Sequence, residues 1–183
     1  ESWLVGVPGL KVVAPSTPAD AWGLMHAALQ EDGPVVYVDH KRLFPTAGEL
    51  ARDAVPVPIG RAVVRRRGAD VTIATHSYMC RVADSAADRL AALGVACEIV
   101  DLRTLAPLDV DTVCESAART GALVTLEEGQ LACGIGAEVA YRVREKTGTM
   151  RVARVGALPA PVSSNPVLEA ASVPGPDEVV EAV

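Results

Sequence analysis

Asp70 to Asp101 reads DVTIATHSYMCRVADSAADRLAALGVACEIVD, and its pattern decides the fold. Residues 70–75 form an apolar, β-branched run of strand length, and residues 79–93 repeat small and apolar side chains at helical spacing. Gly94 then serves as a helix C-cap, and residues 95–101 form a second apolar strand. Strand, helix, strand in this order is the unit of an α/β protein with parallel strands.

The same unit extends to both sides. Upstream, Leu10 to Ala14 reads as a short buried strand, and Ser16-Thr17-Pro18 supplies an N-cap and a helix-opening proline for a helix through about Gln30. Asp20 in its first turn suits the helix dipole. Glu31-Asp32-Gly33 is a stop signal, and Pro34 to Asp39 is the next strand. Downstream, Asp109 or Asp111 caps a helix to about Arg119, Gly121 ends it, and Ala122 to Leu126 is a strand. Gly134 to Glu145 is a further helix and Arg151 to Val155 a further strand. A proline-rich passage from Pro159 to Pro176 leads to a short terminal helix around Asp177 to Ala182. Between Pro45 and Gly60 periodicity disappears and prolines accompany charged residues, the composition of an extended linker. The expected division is therefore 1–45, a linker over 46–60, and 61–183, with no internal repeat.

Half of the 183 residues are apolar, ample for a core. Net charge is −6 and the only basic run is Arg65-Arg66-Arg67, so no phosphate-neutralising surface is expected and nucleic acid is excluded as a partner. No apolar run approaches the roughly 20 residues that cross a bilayer, and the N-terminus lacks the order of a signal peptide, so the expectation is a cytoplasmic protein without a membrane partner. Cys80, Cys97, Cys114 and Cys133 stand singly in apolar stretches and are expected as buried thiols. The chain opens at Glu1 without a methionine and runs almost at once into a strand, as though preceding sequence were missing.

In doubly wound sheets the ligand crevice lies beyond the carboxyl ends of the strands. The residues to weigh are Asp39-His40-Lys41, His76-Ser77, Asp101-Leu102-Arg103 and Glu127-Glu128. His76 and Ser77 as base and nucleophile are disfavoured, because sequence neighbours seldom align for proton transfer and no Gly-x-Ser-x-Gly elbow is present. Gly134-Ile135-Gly136 is half a dinucleotide fingerprint and reads better as close backbone packing. Asp101 and Arg103 are expected as a local charge pair fixing the strand exit, and Trp3 and Trp22 as core or interface residues. Glu127-Glu128 is either a carboxylate offered to a cofactor or dimer partner, or a solvated strand end.

Several of these segments together resemble one family. Val7-Pro8-Gly9-Leu10-Lys11-Val12-Val13-Ala14-Pro15-Ser16-Thr17-Pro18, Pro34-Val35-Val36 running to Asp39-His40-Lys41-Arg42-Leu43, and above all Asp101-Leu102-Arg103-Thr104-Leu105-Ala106-Pro107-Leu108-Asp109 are similar to the E1 β subunits of pyruvate, branched-chain and acetoin dehydrogenase complexes. Gly136-Ala137-Glu138 and Val173-Pro174 continue the likeness, which spans nearly the whole chain.

The resemblance implies the end of a pyrimidine-binding α/β domain followed by a transketolase C-terminal-type, three-layer domain with a mostly parallel sheet. It implies thiamine diphosphate and Mg²⁺, held mainly by an E1 α-like partner chain, and a part that is not catalytic alone. The glutamate and histidine of the family's active site would lie before Glu1, so no catalytic residue is expected here, and His40, His76 and Glu128 are candidates for touching the cofactor. A potassium ion, held in some relatives by main-chain carbonyls after the first helix, would map to Ala28, Glu31 and Gly33. The implied reaction is decarboxylation of a 2-oxo acid and transfer of the acyl unit to a lipoyl group of E2 or a carrier-protein thiol, by an assembly in which the β halves pair within a heterotetramer.

Where relatives carry a His-Glu-Ala-Pro loop this chain has Glu127-Glu128-Gly129-Gln130, which is reminiscent of transketolases. That departure leaves two alternatives. One is a split transketolase-like enzyme moving a two-carbon ketol unit to an acyl carrier protein, whose partner chain also carries the missing pyrimidine domain; the other is a non-catalytic assembly module.

Overall fold

The computed structural model describes residues 1–183. In chain order the elements are α1 (Ser2–Val5), β1 (Lys11–Val13), α2 (Pro18–Ala28), β2 (Val35–Tyr37), β3 (Val63–Arg66), β4 (Val71–Thr75), α3 (Met79–Ala92), β5 (Cys97–Asp101), β6 (Thr104–Ala106), α4 (Val110–Thr120), β7 (Ala122–Gln130), α5 (Ile135–Thr147), β8 (Arg151–Ala157), α6 (Pro166–Ser172) and α7 (Pro176–Ala182). Every strand and helix expected from periodicity is present, with ends displaced by a few residues.

Five strands form the larger sheet in the order β3-β5-β4-β7-β8, parallel except for β3, which runs antiparallel to β5 at one edge. One face packs Ile73, Ile99, Val124 and Leu126 against Met79, Ala83, Ala86 and Leu90 of α3 and Val179 of α7. The other packs Ala74, Val100 and Leu123 against Val113 and Ala117 of α4 and Val139 and Val143 of α5. Helices cover both faces, which is what lets β4 and β5 be buried from end to end. The three layers follow.

A second, three-stranded sheet has the order β2-β1-β6, with β1 parallel to β2 and antiparallel to β6. Because β6 comes from beyond β5, the first strand–helix–strand unit is stitched to the later residues by backbone bonds, and Val12 and Ala14 join the core under α4 and α5. Residues 45–62 carry no helix or strand. Val57 nonetheless lies against α2, its N–H donating to the Gly23 carbonyl at 3.0 Å, where a glycine leaves room for it.

Four elements were hidden from periodicity. Strand β3 contains part of the basic run: Arg65 and Arg66 pair with Asp84 and Asp88 of α3 at 2.9 and 2.6 Å, and charge on an edge strand hinders pairing with another chain. Strand β6 and helix α1 are too short to show a period. Helix α6 lies in the proline-rich passage, where Asn165 caps it and Pro166 opens it. One expectation about cysteine is corrected: Cys80, Cys97 and Cys114 are buried, but Cys133 is exposed because it sits in the turn before α5. Trp3 is likewise no core residue, being 95% exposed on α1.

Candidate functional site

The carboxyl ends of β2, β4 and β7 bring His40, His76 and Glu128 to one place. Their side chains, with Glu1, Asp39, Ser77, Tyr78, Ala14, Val38 and Met79, border a cavity of about 60 Å³. Two histidine–carboxylate pairs flank it. His40 Nε2 lies 2.7 Å from Glu128 Oε2, and His76 Nε2 lies 3.0 Å from Glu1 Oε1.

The pairs cross the seam between the first strand–helix–strand unit and the five-stranded sheet in opposite senses. His40 reaches from the first unit to a carboxylate on β7, whereas Glu1 reaches to a histidine after β4. Arg42 N–H donates to His40 Nδ1 at 3.2 Å, so in the neutral ring Nε2 carries the proton, on the side where Glu128 lies. Tyr78 stacks on the His40 ring at 4.8 Å between centroids and 13°, and the Arg42 guanidinium lies 5.4 Å from the other ring centre while pairing with Glu169 of α6 at 2.7 Å. His76 is buried, and its hydrogen bond to Glu1 holds that carboxyl below the usual range against the opposing effect of burial.

Successive side chains on β7 point to opposite faces, so Glu127 and Glu128 part company. Glu128 faces His40. Glu127 turns inward, where its Oε1 accepts from Gly136 N–H at 3.1 Å and faces the Arg154 guanidinium at 3.4 Å. Burial raises the Glu127 carboxyl above the usual range even though Arg154 and the Gly136 amide pull it down.

The other sequence candidates lie apart. His76 Nε2 meets Glu1 rather than Ser77, so there is no nucleophile–base pair. The expected Asp101–Arg103 charge pair is corrected: only the Arg103 backbone N–H bonds Asp101, at 3.1 Å, because Arg103 takes a left-handed backbone (φ 54°) that sends its guanidinium to Asp20 at 3.2 Å and to the carbonyls of Arg61 and Ala62. Asp101 instead accepts from the Ser16 hydroxyl and faces Arg65 at 3.7 Å, and burial raises its carboxyl. Ala28, Glu31 and Gly33 sit in the turn between α2 and β2, where the Ala28 carbonyl accepts from Glu31 N–H at 3.3 Å and the Glu31 carboxylate pairs with Lys11. Gly134 and Gly136 press on Glu127, in line with a packing role. Sequence reasoning missed Glu1 and Tyr78; an aromatic residue directly after His76-Ser77 was the available signal for Tyr78.

A cofactor the size of thiamine diphosphate needs a cleft of several hundred Å³, whereas about 60 Å³ holds one or two waters. The chain has no Gly-Asp-Gly…Asn stretch and no group of three side chains placed to ligate a metal. Imidazoles and carboxylates at strand ends suit the border of a reacting centre, where protons are held and oriented, and do not suit a diphosphate–metal site.

Residues 60–179 match the family described as "Transketolase, C-terminal domain". The β subunit of acetoin:2,6-dichlorophenolindophenol oxidoreductase from Cupriavidus necator is 40% identical over 179 residues, which cover 96% of this chain and 53% of that protein. The pyruvate dehydrogenase E1 component subunit beta of Bacillus subtilis is 37% identical over 177 residues, covering 95% of this chain and 54% of that one. Among solved structures, a split gene transketolase, described as an inactive beta4 tetramer, superposes with a TM-score of 0.86 at 31% identity over 99% of this chain and 59% of its own. The chain thus spans about half the length of the curated relatives it matches.

Proposed function

The chain belongs to the transketolase C-terminal-domain family, and from that premise we propose that it is the C-terminal portion of the β half of a thiamine-diphosphate-dependent 2-oxoacid dehydrogenase E1. The likeness at 37–40% identity to acetoin and pyruvate dehydrogenase β subunits along almost the whole chain carries this reading. In it residues 1–45 end a pyrimidine-binding domain, 46–60 link, and 61–183 form the transketolase-type domain. An α-like partner holds the diphosphate and Mg²⁺. The enzyme acts in the cytoplasm, decarboxylates a 2-oxo acid, and passes the acyl unit to lipoyl-E2 or a carrier-protein thiol, with β halves paired inside a heterotetramer. Carbonyls of Ala28, Glu31 and Gly33 offer oxygen ligands of the kind a potassium ion takes.

Thiamine diphosphate, when bound, supplies the carbanion-stabilising chemistry. This chain's part is to border that centre. His40, stacked on Tyr78 and bonded by the Arg42 amide, sets its Nε2 within 2.7 Å of the Glu128 carboxylate, and Glu1 and His76 share a proton between Oε1 and Nε2. Both pairs are placed to hold protons close to reacting atoms and to orient groups delivered by the partner.

A second reading has one specific observation in its favour, the superposition on a split gene transketolase. There the donor is a ketose and the transferred group a two-carbon ketol unit. One experiment addresses both. The chain is purified together with an α-like chain carrying a Gly-Asp-Gly…Asn motif, and CO₂ release from 2-oxo acids is compared with ketol transfer from ketose phosphates, with and without thiamine diphosphate and Mg²⁺. CO₂ release that needs both chains and the cofactor is the expected result; ketol transfer alone selects the second reading. A stable complex that neither binds the cofactor nor turns over would overturn both and leave an assembly module.

A further inference from the structure

The tip of β7 carries Glu128 to His40, yet the sheet does not hold that tip. Pairing of β4 with β7 ends at Ala74 and Thr125, and the register between β7 and β8 breaks after Leu126, resuming only at Gln130 opposite Ala157. Residues 127–129 therefore form a bulge with no register partner on either neighbour, where side-chain contacts help set the backbone. Of the two carboxylates in it, Glu128 meets His40 and Glu127 holds the tip to the rest of the sheet layer. Glu127 is 3% exposed, and its carboxylate meets the first amides of α5 through Gly136 N–H, and Arg154 of β8 from the other side.

Three glycines close around this tip. A Cβ on Gly136 would stand 2.5 Å from Thr125 Oγ1 and 2.7 Å from Glu127 Oε1, one on Gly134 would collide with the Glu127 carboxylate alone, and one on Gly156 would stand 2.8 Å from the Gly129 carbonyl. Gly134 and Gly136 thus leave the space that the Glu127 carboxylate fills, and the Gly-x-Gly pattern is explained without a nucleotide.

We propose that Glu127 is a positioning residue: by anchoring the bulged tip of β7 to the N-terminus of α5 and to Arg154, it sets Glu128 at hydrogen-bond distance from His40. This deepens the proposed function, since it concerns the same site, but it is tested without activity. The burial that raises the Glu127 carboxyl means that a neutral amide of the same shape is tolerated there.

The test is the ring-proton NMR signals of the three histidines in the folded chain, assigned by substitution. Glu127→Ala is expected to move the His40 signal as far as Glu128→Ala does, because the pair and the stack on Tyr78 are disturbed together, while His26 stays. Glu127→Gln restores the wild-type signal, since its side-chain oxygen still accepts from Gly136. Gly134→Ala, whose added Cβ would meet only the Glu127 carboxylate, displaces that group without altering it and reproduces the Glu127→Ala spectrum, and Val179→Ala, in the opposite face of the sheet, lowers stability but leaves His40 in place. A His40 signal indifferent to both Glu127→Ala and Gly134→Ala in folded protein, yet sensitive to Glu128→Ala, overturns the proposal whether or not the enzyme reading stands. In the assembled enzyme the same variants are expected to change the pH profile of kcat, with Glu127→Gln closest to wild type.

Discussion

The two ends of the five-stranded sheet both turn the chain through positive φ, with different residues. Where helices feed into strands, Gly94, Gly121 and Gly148 take positive φ (84°, 73° and 80°), a conformation open to glycine without steric penalty. Where strands leave, Ser77, Arg103 and Cys133 take the same region (φ 51°, 54° and 59°) with side chains attached, at a cost of about 1–2 kcal/mol each. The strained end also holds four buried ionisable groups, His76, Asp101, Asp109 and Glu127, whereas the relaxed end holds Glu98, enclosed by Ser116 and Arg119. The difference teaches where the chain is built for folding alone. Strain persists only where the surroundings over-determine it, and here each strained residue lies beside groups that must be aimed: Ser77 follows His76, Arg103 reaches Asp20, and Cys133 precedes the helix that receives Glu127.

The largest expected break in the comparison comes from removing one carboxylate at each end, a buried one and an exposed one. Asp101→Ala leaves the Arg65 guanidinium and the Ser16 hydroxyl without their shared partner, and breaking a buried pair in this way costs about 3 kcal/mol. Asp70, at the other end, is exposed and accepts only the Ala96 N–H at 2.7 Å, so Asp70→Ala is expected to cost about 1 kcal/mol or less. Urea unfolding of both variants measures the gap; equal losses would show that the strained end is no more tightly coupled than the relaxed one.

A smaller effect sharpens the strain argument itself. Gly121→Ala forces a Cβ into the left-handed region and is expected to lower stability by about 1 kcal/mol, whereas Ser77→Gly relieves that penalty and is expected to match or exceed wild type by up to about 1 kcal/mol. Thermal unfolding of the two variants reads the opposite signs. A Ser77→Gly protein less stable than wild type would mean that the Ser77 side chain contributes more than its backbone costs.

The relaxed end was the legible one. Glycine stops such as Gly94 and Gly121, and apolar runs such as 71–75, state their roles locally, so helix and strand limits followed from sequence. The site was legible as positions, because strand ends in an α/β sheet are where ligands bind. Its wiring was not. That His40 chooses Glu128, that Glu1 returns to His76, and that Asp101 ignores Arg103 depend on sequence separations of 88, 75 and 2 residues and on a backbone twist at Arg103, none of which a periodic pattern encodes. Strand β3 was hidden for a related reason, since its arginines look like a solvated charge run until Asp84 and Asp88 are set beside them.

The smallest predicted effect is a slope. Burial raises the Glu127 carboxyl in the folded protein, so the native state binds that proton more readily than the unfolded chain does. The stability this contributes is fully present below the unfolded value near 4.5 and is lost as pH rises through the higher folded value. Glu1 has the opposite sign: lowered by its bond to His76, it contributes stability above 4.5 that disappears as pH falls. Glu127→Gln removes only the first contribution, so the variant's stability relative to wild type should improve as pH is raised from about 4 to 7, while Glu1→Gln should lose ground over the same interval. Urea midpoints at four or five pH values measure both slopes. Parallel curves for Glu127→Gln and wild type would mean that this carboxylate keeps enough solvent or charge partners to titrate as it does in the unfolded chain, and the contrast between the strained and relaxed ends would then rest on geometry without the accompanying cost of a buried charge.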